Sequence, residues 1–231
     1  MIPLCVPQSG GQPLSLHGGL IATVIVTGGT GFVGSHVVEL LLERGHAVRC
    51  IVRPARTRLG WLEGLPVEIV RVSMTDQNAL VPVVRDADYV FHVAGATKVL
   101  KREEYYTGNV EATKALLAAC AGNAGLRKFC HISTLSAVGP SYDGFPLDEA
   151  TPCRPISVYG QTKYKAEQAV LSYSEKIPAV VLRPPTVYGP RDTDVLEMYQ
   201  WVNRGIMPVI SKEEKNISMI HVQDLARGIL E

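Results

Sequence analysis

Hydrophobic residues along this chain follow two alternating rhythms. Short runs rich in β-branched residues, apolar throughout, occur at residues 21–27, 47–52, 67–72, 89–94, 128–133 and 179–183. Such runs predict strands covered on both faces, as in a parallel sheet. Between them the apolar spacing changes to about 3.6, predicting helices over residues 34–44, 77–84, 109–124 and 159–174. In the first, Val37, Val38, Leu41 and Leu42 share one face; in the third, Val110, Leu116, Leu117 and Cys120 do so. Strict alternation of strand and helix predicts an α/β, doubly wound parallel sheet of the Rossmann type. Right-handed crossovers then bring the strand C-termini to one edge, where ligands bind. Near the end, residues 217–222 read as a returning strand, and Asp224 reads as the N-cap of a helix over 225–230.

The strongest local signal joins the first strand to the first helix. Gly28, Gly31 and Gly34 punctuate this junction, with Phe32 and Val33 between the last two as further cofactor contacts. Gly28 suits a tight turn, Gly31 lets backbone approach a pyrophosphate, and Gly34 permits close helix–strand packing. Exposed N–H groups and the positive helix end then receive phosphate charge. The second strand ends in Arg53, 22 residues after Gly31, and the next acidic residue is Glu63. An acid there would bind the ribose of NAD, whereas an Arg accommodates the 2′-phosphate of NADP. Arg56 and Arg58 add positive charge, so NADP is preferred over NAD.

A second constellation lies at the start of the fourth helix. Tyr159 and Lys163 are four residues apart and so stack on one face, a turn apart. An ammonium beside a phenol is expected to lower the phenol's pKa from about 10. Such a Tyr exchanges a proton with a substrate oxygen while hydride moves to or from a nicotinamide.

With these pieces in place the chain resembles the extended short-chain dehydrogenase/reductases of the NAD-dependent epimerase/dehydratase superfamily. The resemblance runs from Val24 to Leu230. Its motifs are TGGTGFVG at 27–34, VFHVAG at 90–95, NVEATKALL at 109–117, STLSAVG at 133–139, YGQTK at 159–163, LRPPTVYGP at 182–190 and MIHVQDLA at 219–226. It implies that Tyr159 is the acid/base and that Lys163 bonds the nicotinamide ribose. Thr134, 25 residues before Tyr159, would bond the substrate oxygen, with Ser136 as its rival. Ala94 and Gly95 would line the cofactor, and Pro184 and Pro185 would flank the nicotinamide. Asn109 reads as a helix N-cap, and His92, His131 and His221 as structural histidines. Where relatives carry Gly-Asp after the third strand, this chain has Val72-Ser73-Met74, so Ser73 and Met74 become the adenine contacts. Relatives also continue beyond the IHV motif, so the chain reads as C-terminally shortened. Its substrate lobe would be reduced to residues 142–158 and 186–218. A homodimer through a four-helix contact would use residues 109–124 and 159–174.

Composition narrows the remaining choices. Twenty-three Lys and Arg against 22 Asp and Glu give a net charge of +1, which offers no electrostatic case for nucleic acid or a membrane surface. Five cysteines, scattered and without a CxxC pair, suggest neither a disulfide framework nor a metal site. With no secretory signal, a cytoplasmic location is expected. The domain plan is a flexible leader over 1–19, a dinucleotide-binding domain over 20–185 and a partial substrate lobe over 186–231. Acting on a small-molecule substrate, an NAD(P)-dependent reductase or dehydrogenase is the first functional reading. A nucleotide-sugar epimerase is the second, and a non-catalytic dinucleotide binder the third. Leu135-Ser136 replaces the Asp-Glu that follows the catalytic Thr in dehydratases, which disfavours that reaction.

Overall fold

A computed structural model of the chain describes residues 4–5, 21–142, 144–207 and 216–231. The six predicted runs form six parallel strands, five of them one or two residues shorter than the run. In chain order the elements are β1 (Leu4–Cys5), β2 (Thr23–Thr27), α1 (Phe32–Glu43), β3 (Ala47–Val52), β4 (Glu68–Arg71), α2 (Gln77–Val84), β5 (Tyr89–His92) and α3 (Arg102–Tyr105). They continue as α4 (Ala112–Cys120), β6 (Lys128–Ile132), α5 (Val158–Ser172), β7 (Ala179–Leu182), β8 (Thr186–Tyr188), α6 (Asp194–Asn203), β9 (Met219–His221) and α7 (Val222–Leu230).

The main sheet has the order β1-β7-β6-β5-β2-β3-β4. From β2 the chain winds outward one way to β3 and β4, then returns to β5, β6 and β7 on the other side. The order therefore reverses between β2 and β5, whose in-register neighbours include Thr27 and His92. At such a switch point the loops leaving the two strands part and open a crevice.

Alternate residues of each strand face opposite helical layers. Val24, Val26, Phe91, Cys130 and Ile132 form one core with Val37, Val38 and Leu41 of α1 and Leu225, Ile229 and Leu230 of α7. Ile25, Val90, Phe129 and Val181 form the second, with Leu80 of α2, Leu116 of α4 and Val170 of α5.

Four expectations change. Leu4–Cys5, inside the expected flexible leader, pair antiparallel with Val181 and Leu182, so part of that stretch extends the sheet edge. The rest of the leader up to residue 20 lies outside the described residues, as does the charged run 212–215. The boundary at 185/186 is crossed by α7, which packs on α1 and belongs to the dinucleotide domain's core. The helix expected over 109–124 begins earlier, at Arg102, and passes through a π-helical turn at Tyr106–Glu111 before α4. Asn109 thus lies inside a helical segment and is not an N-cap. Finally, α7 is capped by His221, whose Nδ1 accepts from Gln223 N at 3.4 Å. Asp224 sits in the first turn and pairs with Arg227.

Beyond the sheet, β8 and β9 pair in parallel, Thr186 opposite Met219 and Tyr188 opposite His221. This pairing and α6 had no expected counterpart. Helix α6 buries none of its residues among those described.

Candidate functional site

The glycine turn is built as its spacing requires. Gly28 has φ +76°, and a Cβ there would stand 2.7 Å from Ala94 N. The loop after β2 and the loop after β5 therefore touch backbone to backbone, and no side chain fits between them. Ala94 N is itself held by Thr27 Oγ1 at 3.1 Å. A Cβ on Gly34 would collide with the carbonyl of Gly28, so α1 can approach the turn only as glycine. Gly31 is exposed and serves as the N-cap of α1 without any side-chain cap. The first N–H groups of α1, those of Phe32 and Val33, are left for an acceptor from outside the helix. Arg53 follows β3, next to β2 in the sheet, and its side chain is exposed. Ser73 lies two strands out, after β4, where its hydroxyl is 3.0 Å from that of Thr75 in the turn before α2. Met74 packs against the second core.

The residues expected to handle protons lie near the end of β6. Thr134 ends that strand in extended conformation and accepts from Ser136 N at 3.2 Å. Its hydroxyl also faces the Tyr159 phenol closely enough to act on it. Ser136 is exposed, and its carbonyl is what bars a Cβ from Gly160, so its role is to seat α5. Of the two rivals, the structure brings Thr134 to Tyr159. Ser157 starts α5 by accepting from Gly160 N at 3.0 Å, which places Tyr159 in the first turn beside Thr134. Pro184, buried, accepts from Leu135 N at 3.0 Å, and Pro185 follows half-buried.

Lys163 is only 3% exposed, and Nζ donates to Ile132 O at 2.6 Å. Burial pulls its ammonium down to about 8, with the Glu167 carboxylate acting in the opposite direction. Here the expected electrostatics are corrected. Burial raises the Tyr159 phenol above its ordinary value, the Thr134 hydrogen bond opposes this, and Tyr105 adds to it. The Lys163 ammonium donates to the strand carbonyl of Ile132, and burial dominates the phenol.

Asn109, expected as a cap, is a central brace. It is 1% exposed, its Oδ1 accepts from Ala96 N at 2.7 Å, and its Nδ2 donates to Ala96 O at 3.1 Å and Thr162 Oγ1 at 3.0 Å. One side chain thus fastens the loop carrying Ala94 and Gly95 to the helix carrying Tyr159. A Cβ on Gly95 would lie 3.1 Å from Asn109 Oδ1 and 3.7 Å from Lys163 Nζ. Beneath, the Arg183 guanidinium grips Glu167 with Nη2 at 2.7 Å and Nε at 3.0 Å, both residues buried. Tyr159, Lys163 and Glu167 recur every fourth residue, a helical stripe that could have signalled this carboxylate. Nothing comparable in the sequence marks Asn109. Among the described residues no group of three or more His, Cys, Asp or Glu is placed to hold a metal, and no helix is long and apolar enough to cross a membrane.

The model of the NAD dependent epimerase/dehydratase family matches residues 24–231. The chain belongs to this family. Ceramide reductase of Caulobacter vibrioides is 33% identical over 208 residues, which cover 90% of this chain and 59% of that protein. The crystal structure of gox2253 superposes with a TM-score of 0.79 at 35% identity, covering 89% of this chain and 64% of that one. UDP-glucuronic acid 4-epimerase from Bacillus cereus, in complex with NAD, gives a TM-score of 0.78 at 27% identity, covering 89% and 71%. The chain spans about three fifths of the length of curated family members such as the ceramide reductase.

Proposed function

We propose that the protein is an NAD(P)-dependent oxidoreductase of the extended short-chain dehydrogenase type, reducing a carbonyl or oxidising a secondary alcohol. The observation that carries this reading is that Thr134 and Tyr159 come together at the head of α5, one helical turn from buried Lys163, beside a glycine turn that only a backbone can line.

The residues present fit a dinucleotide. Gly28, Gly31, Gly34 and the N–H groups of Phe32 and Val33 would hold the pyrophosphate. Ala94, Gly95, Lys163 and Pro185 would border the nicotinamide half, with Ser73 and Met74 toward the adenine. Bound there, the nicotinamide supplies or accepts the hydride. Thr134 orients the substrate oxygen. Tyr159, its proton held by a raised pKa, donates that proton to the oxygen during reduction and takes one back during oxidation. A phenol protonated at neutral pH suits the reducing direction. Pro184 and Pro185 exclude water from one side.

Exposed Arg53, at the start of the loop after β3, supports NADP over NAD. A nucleotide-sugar epimerase is the second reading, favoured by the fold match to the UDP-glucuronic acid 4-epimerase. The higher identity to the ceramide reductase favours reduction. A second copy would dock on α4 and α5, whose outer surface carries a groove of about 830 Å³ bordered by Lys114, Ala118, Gln168 and Ser172. Buried reduced thiols at Cys50, Cys120 and Cys130 support a cytoplasmic setting.

Tyr159→Phe tests the acid/base role. Turnover with a panel of ketones and NADPH should fall about 100-fold or more, with NADPH affinity nearly unchanged. Normal turnover would refute the assignment. Arg53→Asp should weaken NADPH binding far more than NADH binding, and equal loss would remove Arg53 from the 2′-phosphate.

A further inference from the structure

Directly beneath Lys163 the protein leaves polar atoms bare. Nδ1 and Nε2 of His131 and Oγ of Ser133 are buried without a hydrogen-bond partner among the described residues. The two residues are 0% and 4% exposed. They lie two apart at the end of β6 and so project from the same face, the one shared with Phe129 and turned toward α4 and α5. Between them in the chain is Ile132, whose carbonyl accepts the Lys163 ammonium at 2.6 Å. The other bare atoms, Arg44 Nη1 and His46 Nε2, belong to the turn before β3 at the opposite end of the sheet.

His92 shows how unusual this is. Its ring stands 5.2 Å from that of His131 on the neighbouring strand. Yet both its nitrogens are used, Nδ1 with Thr27 Oγ1 at 2.7 Å and Nε2 with Thr113 Oγ1 at 2.8 Å. Buried polar groups are nearly always satisfied by protein or by ordered water, and each one left bare costs about 1–3 kcal/mol. Three such atoms on alternate positions of one buried strand face are a site for a small molecule that both donates and accepts. Only water matches a neutral imidazole, a hydroxyl and an ammonium together, since the first two need both roles and the third only donates.

We propose that His131 and Ser133 bind internal water against the end of β6, and that this water joins them to the Lys163 ammonium as positioning residues for the Tyr159–Lys163 pair. The ammonium has three protons, of which one goes to Ile132 O. The water takes a second, which fixes the direction of the third toward the cleft. The titratable groups facing Lys163 are His131 from β6, His92 from β5 and Glu167 from α5. Glu167 is tied to Arg183. Burial keeps both histidines neutral, with the nearby ammonium adding to the effect. Neither competes with Lys163 for charge, and the water is what solvates the ammonium from below.

The inference rests on reading Lys163 as the partner of Tyr159, but its test needs no turnover. In a high-resolution crystal structure of the 231-residue chain, density for water should lie within hydrogen-bond distance of a His131 ring nitrogen and Ser133 Oγ. In ¹³C NMR of the lysine side chains, His131→Phe and Ser133→Ala should each lower the Lys163 titration midpoint by about half a unit or more, because hydrogen bonding to the charged form is lost. Ser133→Ala changes one oxygen and keeps the test readable if His131→Phe does not fold. Bare density at these atoms overturns the site. Water present with an unmoved midpoint in the folded variants overturns the positioning role. A chain inactive on every carbonyl would sink the oxidoreductase reading and leave both of these results standing.

Discussion

The two faces of the sheet are made by alternate residues of the same strands, yet they are built on different principles. Toward α1 and α7 the contacts are apolar from bottom to top, with Val24, Val26, Cys130 and Ile132 against Leu225, Ile229 and Leu230. Toward α4 and α5 the lower rows are equally apolar, Ile25, Val90 and Phe129 among them. The top row there is polar: Thr27 from β2, His92 from β5, His131 and Ser133 from β6, and Arg183 just past β7, all buried. The first face stabilises. The second accepts the desolvation of a histidine pair, an ammonium and an ion pair in order to fix where Tyr159 and Lys163 stand. Chemistry is concentrated on the face whose helices carry it.

This contrast can be broken most severely at Glu167. Glu167→Ala strands the Arg183 guanidinium in the interior and should cost about 3–5 kcal/mol in urea unfolding. A cost below that of an ordinary surface substitution would show that the polar row is solvated in solution. On the apolar face, Ile229→Ala should cost about 2–4 kcal/mol by loss of packing alone. It should leave dinucleotide affinity unchanged once folding is ensured, whereas a specific loss of affinity would mean that α7 supports the site as well as the core.

The finest test is the pH dependence of stability. Lys163 has its ammonium lowered from 10.5 to about 8 when folded, so between those values the unfolded chain binds more protons than the folded one. Its contribution to stability therefore rises with pH through that window, and below pH 8 the full cost of burying the charge is present. The difference in unfolding free energy between the wild type and Lys163→Met should grow in favour of the wild type from pH 8 to pH 10, by up to roughly 3 kcal/mol. A flat difference would mean that the ammonium is well solvated in the native state.

Much of this was legible before any coordinates. The six apolar runs read correctly as parallel strands because burial on both faces removes the polar positions that would mark an exposed side. The glycine turn was legible because Gly28 and Gly34 answer to local backbone geometry, φ +76° in one case and contact with a neighbouring carbonyl in the other. Thr134 and Tyr159 come together at the head of α5, and Lys163 lies buried one turn further along. The direction of the Tyr159 shift was misread, because it is set by burial of the phenol, which no spacing within one helix reveals. Asn109 was misread for a like reason, since its partners at Ala96 and Thr162 reach it only after folding. The returning strand at β9 was legible, but its pairing with β8 was not, since that joins segments more than 30 residues apart.

The sequence by itself determined the order of strands and helices, the glycine turn between β2 and α1 and the residue types offered at the head of α5. Each follows from hydrophobic period, glycine conformation or spacing within one helix, all of which act over a few residues. Only the tertiary structure decided which polar groups are sealed inside, which of them are paired, and which way an ammonium points. Those outcomes depend on desolvation and on contacts between distant segments, and desolvation has no meaning until the helices have closed over the sheet.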